Sequence, residues 1–333
     1  MTIPSLVLRG PSLPRAIPRT DYARGVVYAT AAGISLGTLG PLSNIAYAAG
    51  MTSPAFAALR ATIGATVLAI ILVTTHVERV PLGRLRKLDQ ALLGLTAVAQ
   101  AALSLSLFAA YATMAVAPVL AVYFCYPLLV AGASIALRRE RLTRTRGLAL
   151  GIALVGLIAV VFGGAGVSGR VSVIGIALAG LAATCQATYL VVSRSGFTRV
   201  PSQQATAVIL GGAAVLMWLV AAPAELLSGQ AATWVASPTV WIAVAVAGIL
   251  GAALAKVWLL RGVRRVGGTR AAVLMLAEPI TGVLLAGILL GQGLTGVQLA
   301  GGLAVMIGAL LAQRPAPALD ARRHRPSARP PHS

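Results

Sequence analysis

The sequence is poor in almost everything a soluble protein shows to water. Only 10% of its 333 residues are charged, where a soluble domain carries roughly 25%. Seven residues are acidic and three are histidine. With so few, the chain shows no histidine relay, no nucleophile–base pair and no metal cluster, and it calls for no cofactor. The two cysteines, Cys125 and Cys185, lie in apolar runs without a CxxC or a neighbouring histidine, so they imply neither a disulfide framework nor a metal site. The opening MTIPSLVLRGPSLPRAIPRT is broken by prolines and lacks the continuous apolar run of a cleavable signal.

What remains is apolar. Hydrophobic residues make up 58% of the chain and its mean hydropathy is +0.89. Several runs approach the roughly 20 residues that a spanning helix needs. The fold class is an all-α polytopic membrane protein. Ten candidate helices fall near 25–48, 53–75, 90–111, 115–137, 146–163, 172–192, 203–226, 238–260, 268–290 and 294–312.

The basic residues test this count. With residues 1–24 as a cytoplasmic tail, 24 of the 27 lysines and arginines fall in tails or in loops on one side. Of the others, Arg170 falls in the outer linker 164–171, and Arg60 and Lys256 fall inside spans. Such a partition is the positive-inside signal, and it places both termini in the cytoplasm. The net charge of +20 therefore reads as topology rather than nucleic-acid binding, because it is spread between apolar segments. The tail 313–333, rich in proline and arginine, is expected to be disordered. Trp234 and Trp241 suit an outer aromatic belt.

An internal repeat supports the count. At a constant offset of 152, Pro127 meets Pro279, Leu137 meets Leu289, Leu142–Thr143 meets Leu294–Thr295, and Gly156 meets Gly308. The halves are 25–163 and 172–312. Five helices in each would thread the membrane in opposite directions, an arrangement of secondary transporters that bind substrate near the midplane.

The ten spans, the paired P…LxxxxLT boundaries, ALR at 58–60, RERLT at 139–143 and AEP at 277–279 resemble the EamA-type branch of the drug/metabolite transporter superfamily. The resemblance covers about residues 25–312. It implies an exporter of small polar metabolites or amino acids in the bacterial inner membrane, driven by the proton gradient. Two positions depart from the pattern. Gln292 stands where glutamate is usual before the second LT, and Lys256 where a tyrosine is often seen.

Three charges sit at depth: Arg60 in the second span, Lys256 about five residues from the inner end of the eighth, and Glu278 about ten into the ninth. At about 1.5 Å per residue, Lys256 lies roughly 7 Å and Glu278 roughly 12–15 Å below the inner boundary. Intramembrane charges are functional candidates by default. The alternatives are snorkelling for Lys256, a helix-end hydrogen bond for Glu278 and an interhelical tie for Arg60. Pro41, Pro127 and Pro279 break the first, fourth and ninth spans beside Gly40, Tyr126 and Glu278. Paired breaks point to a transporter site, though a packing kink would look the same. Gln100, Ser104, Ser106, Gln186 and Thr188 can line a pathway or bond back to their own helices.

Gly147 and Gly151 carry the small-xxx-small spacing of close helix contact. GGAGVSG at 163–169 lacks the Lys–Ser/Thr ending of a phosphate loop and reads as a link between repeats. His76 marks a helix end.

An ammonium and a guanidinium would attract a carboxylate or phosphate, and Glu278 an amine or a proton. The expected function is proton-coupled export of an amino acid or small carboxylated metabolite, with Glu278 or neutral Lys256 titrating. The expected partners are this substrate, the bilayer, protons and in one arrangement a second copy of the chain. An intramembrane lipid-modifying enzyme and a non-transporting assembly subunit stay open.

Overall fold

The computed structural model describes residues 19–75, 79–113, 116–137, 143–163, 172–229, 231–290 and 295–313. Three features named above lie outside these residues: His76, Gln292 and most of the RERLT segment. So do the 164–171 linker and both tails beyond 19–313.

The described residues form helices and no strands. The first half holds α1 (Arg19–Gly37), α2 (Leu39–Ala48), α3 (Ser53–Thr74), α4 (Lys87–Thr113), α5 (Val116–Tyr123), α6 (Tyr126–Ala136) and α7 (Arg144–Phe162). The second holds α8 (Val173–Ser195), α9 (Ser202–Ser228), α10 (Ala231–Val235), α11 (Pro238–Val246), α12 (Ala255–Val266), α13 (Gly268–Leu274), α14 (Ala277–Leu290) and α15 (Gly296–Gln313). Between α11 and α12 the helix continues as a π-helical stretch, Ala247–Leu254. Six of these paths are long and apolar enough to cross a membrane, and shorter apolar helices lie at 126–136, 147–162 and 296–308. The chain is a multi-pass membrane protein.

Helix packing repeats across the halves. The most extensive contacts join α7 to α15, α3 to α9, α4 to α8 and α1 to α12. Exchanging the halves maps the first two pairs onto themselves and swaps the other two. The bundle is thus pseudo-two-fold, and the 152-residue offset describes it at atomic detail. A Cβ on Gly156 would stand 2.6 Å from the Gly301 carbonyl oxygen and 2.7 Å from the Val305 nitrogen. The offset carries that contact onto Gly308, whose Cβ would meet the Ala149 oxygen at 2.7 Å and the Ala153 nitrogen at 2.9 Å. Gly151, by contrast, faces open space. The close approach is made instead at Gly156, five residues after Gly151, on the face that meets α15.

The fourth and ninth spans break just before their prolines, at 124–125 and 275–276. Proline lacks the N–H that would continue the ladder. The Met275 carbonyl, freed by Pro279, instead accepts from the Glu278 N–H at 2.9 Å, a tighter turn. In the first span the interruption falls at Thr38, and Pro41 lies in the first turn of α2 rather than at the break itself. Proline is compatible with a first turn because those N–H groups have no intrahelical acceptor.

The eighth path runs to Val266, past the expected end at 260. Arg264 and Arg265 in its last turn suit the negative end of the helix dipole. Gly267, at φ 89°, then stops it. Lys256 lies ten residues, about 15 Å along the axis, from this helix end.

Trp234 does not join a surface belt. It is buried, and its indole N–H donates to Glu225 at 2.9 Å. Trp241 is 41% exposed.

Candidate functional site

Close packing of α3 against the π-helical stretch builds the site. A Cβ on Gly64 would come 2.8 Å from the Ala252 Cβ and 3.0 Å from the Gly248 oxygen, so only glycine lets the backbones meet here. That approach places Arg60, one turn before Gly64, near Lys256, one turn after Ala252.

Between them lies a narrow cavity of about 10 Å³, room for about one water. Its lining comprises Arg60 and Ala61 from α3, Gln100 and Ser104 from α4, Leu210 and Met217 from α9, and Ala252 and Lys256. Each contributing helix has its pseudo-symmetric counterpart among the others. The 152-residue offset pairs Gln100 with Ala252 and Ser104 with Lys256, and all four line the cavity. The void therefore straddles the pseudo-axis, and its polar groups are unequal across it.

Lys256 is 5% exposed. It does not snorkel: its ammonium lies 4.9 Å from the centroid of the Tyr189 ring, a cation–π contact. Arg60 is equally buried, and its Nε finds no partner. Gln100 donates through Nε2 to the Ser104 hydroxyl at 3.3 Å, while its Oε1 stays unpartnered. A buried unpaired donor or acceptor costs about 1–3 kcal/mol. Such groups around one void are what a ligand or water would satisfy.

Glu278 opens α14 at the ninth-span break and is half-buried. Its neighbours in charge are Lys256 and Arg60. Neither forms an ion pair with it within 4.0 Å; among the described residues such pairs are Arg24–Asp21 and Arg86–Asp89. The first-span break packs on the same place, since a Cβ on Gly37 would stand 2.5 Å from the Glu278 carbonyl oxygen. Tyr126, the offset partner of Glu278, is fully buried and donates to the Ala272 carbonyl at 3.4 Å.

Of the residues singled out in the sequence, Arg60, Lys256, Gln100 and Ser104 come together on the cavity, with Glu278 in Coulombic reach. Gln186 is buried on α8 away from the lining, with Oε1 unpartnered. Ser106 and Thr188 bond back to Ala102 and Thr184 of their own helices. Sequence reasoning missed Tyr189, whose only mark was a position three residues after Gln186. It also missed Glu225, which accepts from the Thr52 N–H at 2.8 Å as well as from Trp234. That carboxylate ties α9 to the start of α3, across the two halves.

Among curated proteins none matches the chain. A solved structure described only as "Crystal structure of protein" superposes with a TM-score of 0.74 at 23% identity, covering 91% of this chain and 98% of its own. That likeness shows the fold. The family profile described as EamA-like transporter family matches twice, over residues 23–162 and 173–313. The double match spans most of the sequence and agrees with the two-fold packing: the chain belongs to the EamA-like transporter family, within the drug/metabolite transporter superfamily.

Proposed function

We propose that this chain is a secondary transporter that exports a small carboxylated metabolite or amino acid from the cytoplasm by alternating access. In this reading the halves 25–163 and 172–312 are inverted repeats, both termini are cytoplasmic, the host is a bacterial inner membrane, and proton entry drives the cycle. The carrying observation is the pair of buried cations, Arg60 and Lys256, on one cavity with no carboxylate in contact. Desolvated cations lacking counter-ions favour an anionic group that enters between them. Glu278 supplies the opposite charge at the edge, suited to a substrate amine or to the coupling proton.

A void with room for about one water holds no organic substrate, so binding requires the helices to part. The broken spans provide backbone that can bend, which irregular segments at membrane depth do where they face a cavity. A thermal-shift screen of the purified protein against amino acids, nucleosides and organic acids tests the binding class. A ligand at 100 times its Kd stabilises by about 2.7 kcal/mol. Carboxylated compounds are expected to shift the midpoint and nucleosides to leave it in place. Uptake into inverted vesicles tests the rest, and gradient-driven uptake unchanged in both Lys256→Ala and Glu278→Gln would remove the mechanism.

A further inference from the structure

A second group of orphaned polar atoms lies outside the cavity, towards the arginine-rich end of the bundle. Gln186, Tyr189 and Ser193 occupy one face of α8, spaced three and four residues apart. Each is at most 1% exposed. The Gln186 Oε1, Tyr189 hydroxyl and Ser193 Oγ have no hydrogen-bond partner in the protein. Two more unpartnered atoms belong to helices packed on α8: Thr269 Oγ1 on α13 and Arg264 Nε on α12.

These five atoms lie on helices that pack together, and each would cost about 1–3 kcal/mol if left dry. Natural interiors satisfy such groups with buried water that makes two to four hydrogen bonds. Their order along the membrane is informative. Ser193 lies two residues from the end of α8, and Thr269 is the second residue of α13. Gln186 lies about 10 Å deeper on α8. Tyr189 joins this group to the cavity, since the Lys256 ammonium sits over its ring.

Arg264 lies at the shallow end. Its Nη1 donates to the Val200 carbonyl at 3.0 Å and to Ser202 Oγ at 3.1 Å, and its Nη2 donates to the Phe197 carbonyl at 3.1 Å. Its guanidinium also lies 5.7 Å from the ring of Phe197, a fully buried residue at φ 38°. That backbone region is uncommon for a bulky side chain. The clamp holds the α8–α9 turn in place while the remaining Nε joins the orphaned set.

We propose that Gln186, Tyr189, Ser193, Thr269 and Arg264 line a file of water that connects Lys256 with the arginine-rich face of the protein. The file gives water and protons a route to the buried ammonium from one side only, with Arg264 at its mouth.

Hydroxyl-radical footprinting of the native protein in liposomes reads hydration directly. Tyr189 is expected to be labelled at least tenfold faster than Phe56, which is as deeply buried but apolar in its surroundings. Equal, negligible labelling of both overturns the proposal. Sidedness is read by 2-aminoethyl methanethiosulfonate on Ser193→Cys and Thr269→Cys, in a background where Cys125 and Cys185 are alanine. Modification from the arginine-rich face alone, faster than at Val191→Cys on the opposite face of α8, is expected. Equal rates from both faces, or none above Val191→Cys, overturn it. Where a cysteine variant fails to fold, the native footprint decides. No substrate or gradient enters these measurements, so they stand or fall apart from the transport reading.

Discussion

Two places in this molecule lie on the same pseudo-axis and use it differently. Where α7 meets α15, the symmetry holds to the backbone atom: Gly156 and Gly308 make equivalent contacts on opposite sides. At the cavity the offset still pairs the backbone, yet it sets Ser104 against Lys256 and Gln100 against Ala252 in sequence. At the breaks, Tyr126–Pro127 answers Glu278–Pro279. The duplicated scaffold is kept by residues without side chains, whereas the chemistry comes from side chains that one half has and the other lacks. A charge placed identically in both halves would put like charges close together across the axis, which low-dielectric surroundings penalise heavily.

The strongest way to break the symmetric side is to add atoms to it. In Gly156→Val and Gly308→Val the new Cβ meets backbone, which cannot rotate away. Overpacking typically costs 1–3 kcal/mol, and with backbone on both sides we expect about 3 kcal/mol for each. The two values should agree within about 0.5 kcal/mol, while Gly151→Ala should cost almost nothing. Thermal or denaturant unfolding in detergent gives all three. Unequal costs for the two valines would show that the symmetry is only approximate in energy.

A somewhat smaller loss is expected at the link between halves. Glu225→Ala removes the acceptor of both the Thr52 N–H and the Trp234 N–H. Hydrogen bonds to charged groups contribute about 1.5–3 kcal/mol each, partly recovered when water enters. A net loss of about 2–3 kcal/mol should appear in the same unfolding assay, and Glu225→Gln, which keeps one acceptor, should lose less.

The asymmetric side is sharpened by exchanging the chemistry of the breaks. Glu278→Gln should lower transport at least tenfold, equivalent to about 1.4 kcal/mol. Tyr126→Phe removes one long hydrogen bond to a backbone carbonyl and should change the rate less than twofold. Uptake rates in inverted vesicles measure both. Equal effects would mean that the breaks act as hinges alone.

Much of the scaffold could be read before any coordinates, because spans, charge asymmetry and the 152-residue offset are one-dimensional signals. Lys256 and Glu278 were conspicuous for the same reason, as charges in apolar runs. Harder to read was anything that depends on which face a helix turns. Gly151 and Gly156 look alike in sequence, and only the crossing of α7 with α15 separates them. Helix ends are hard to read where charge resembles a boundary: three arginines continue the eighth helix to Val266. Tyr189 had little sequence mark and Glu225 none, because the meaning of each lies chiefly in a partner distant in the chain, Lys256 and Thr52.

The smallest effect concerns Lys256 and separates function from stability. An ammonium at this depth costs about 2.5–3.5 kcal/mol on insertion scales. Its contact with Tyr189 returns up to about 2 kcal/mol when desolvated. Methionine fills nearly the same volume without the charge, and replacing buried ionic groups by apolar ones is often neutral or stabilising. Lys256→Met should therefore gain about 1 kcal/mol in unfolding free energy while transport falls at least tenfold. A residue kept at a cost to stability is held there by what it does, as the asymmetric half of the comparison requires. Loss of stability in Lys256→Met, with transport falling only in proportion, would instead make the lysine a tie between α12 and α8, and the inequality of the cavity would then be a matter of packing.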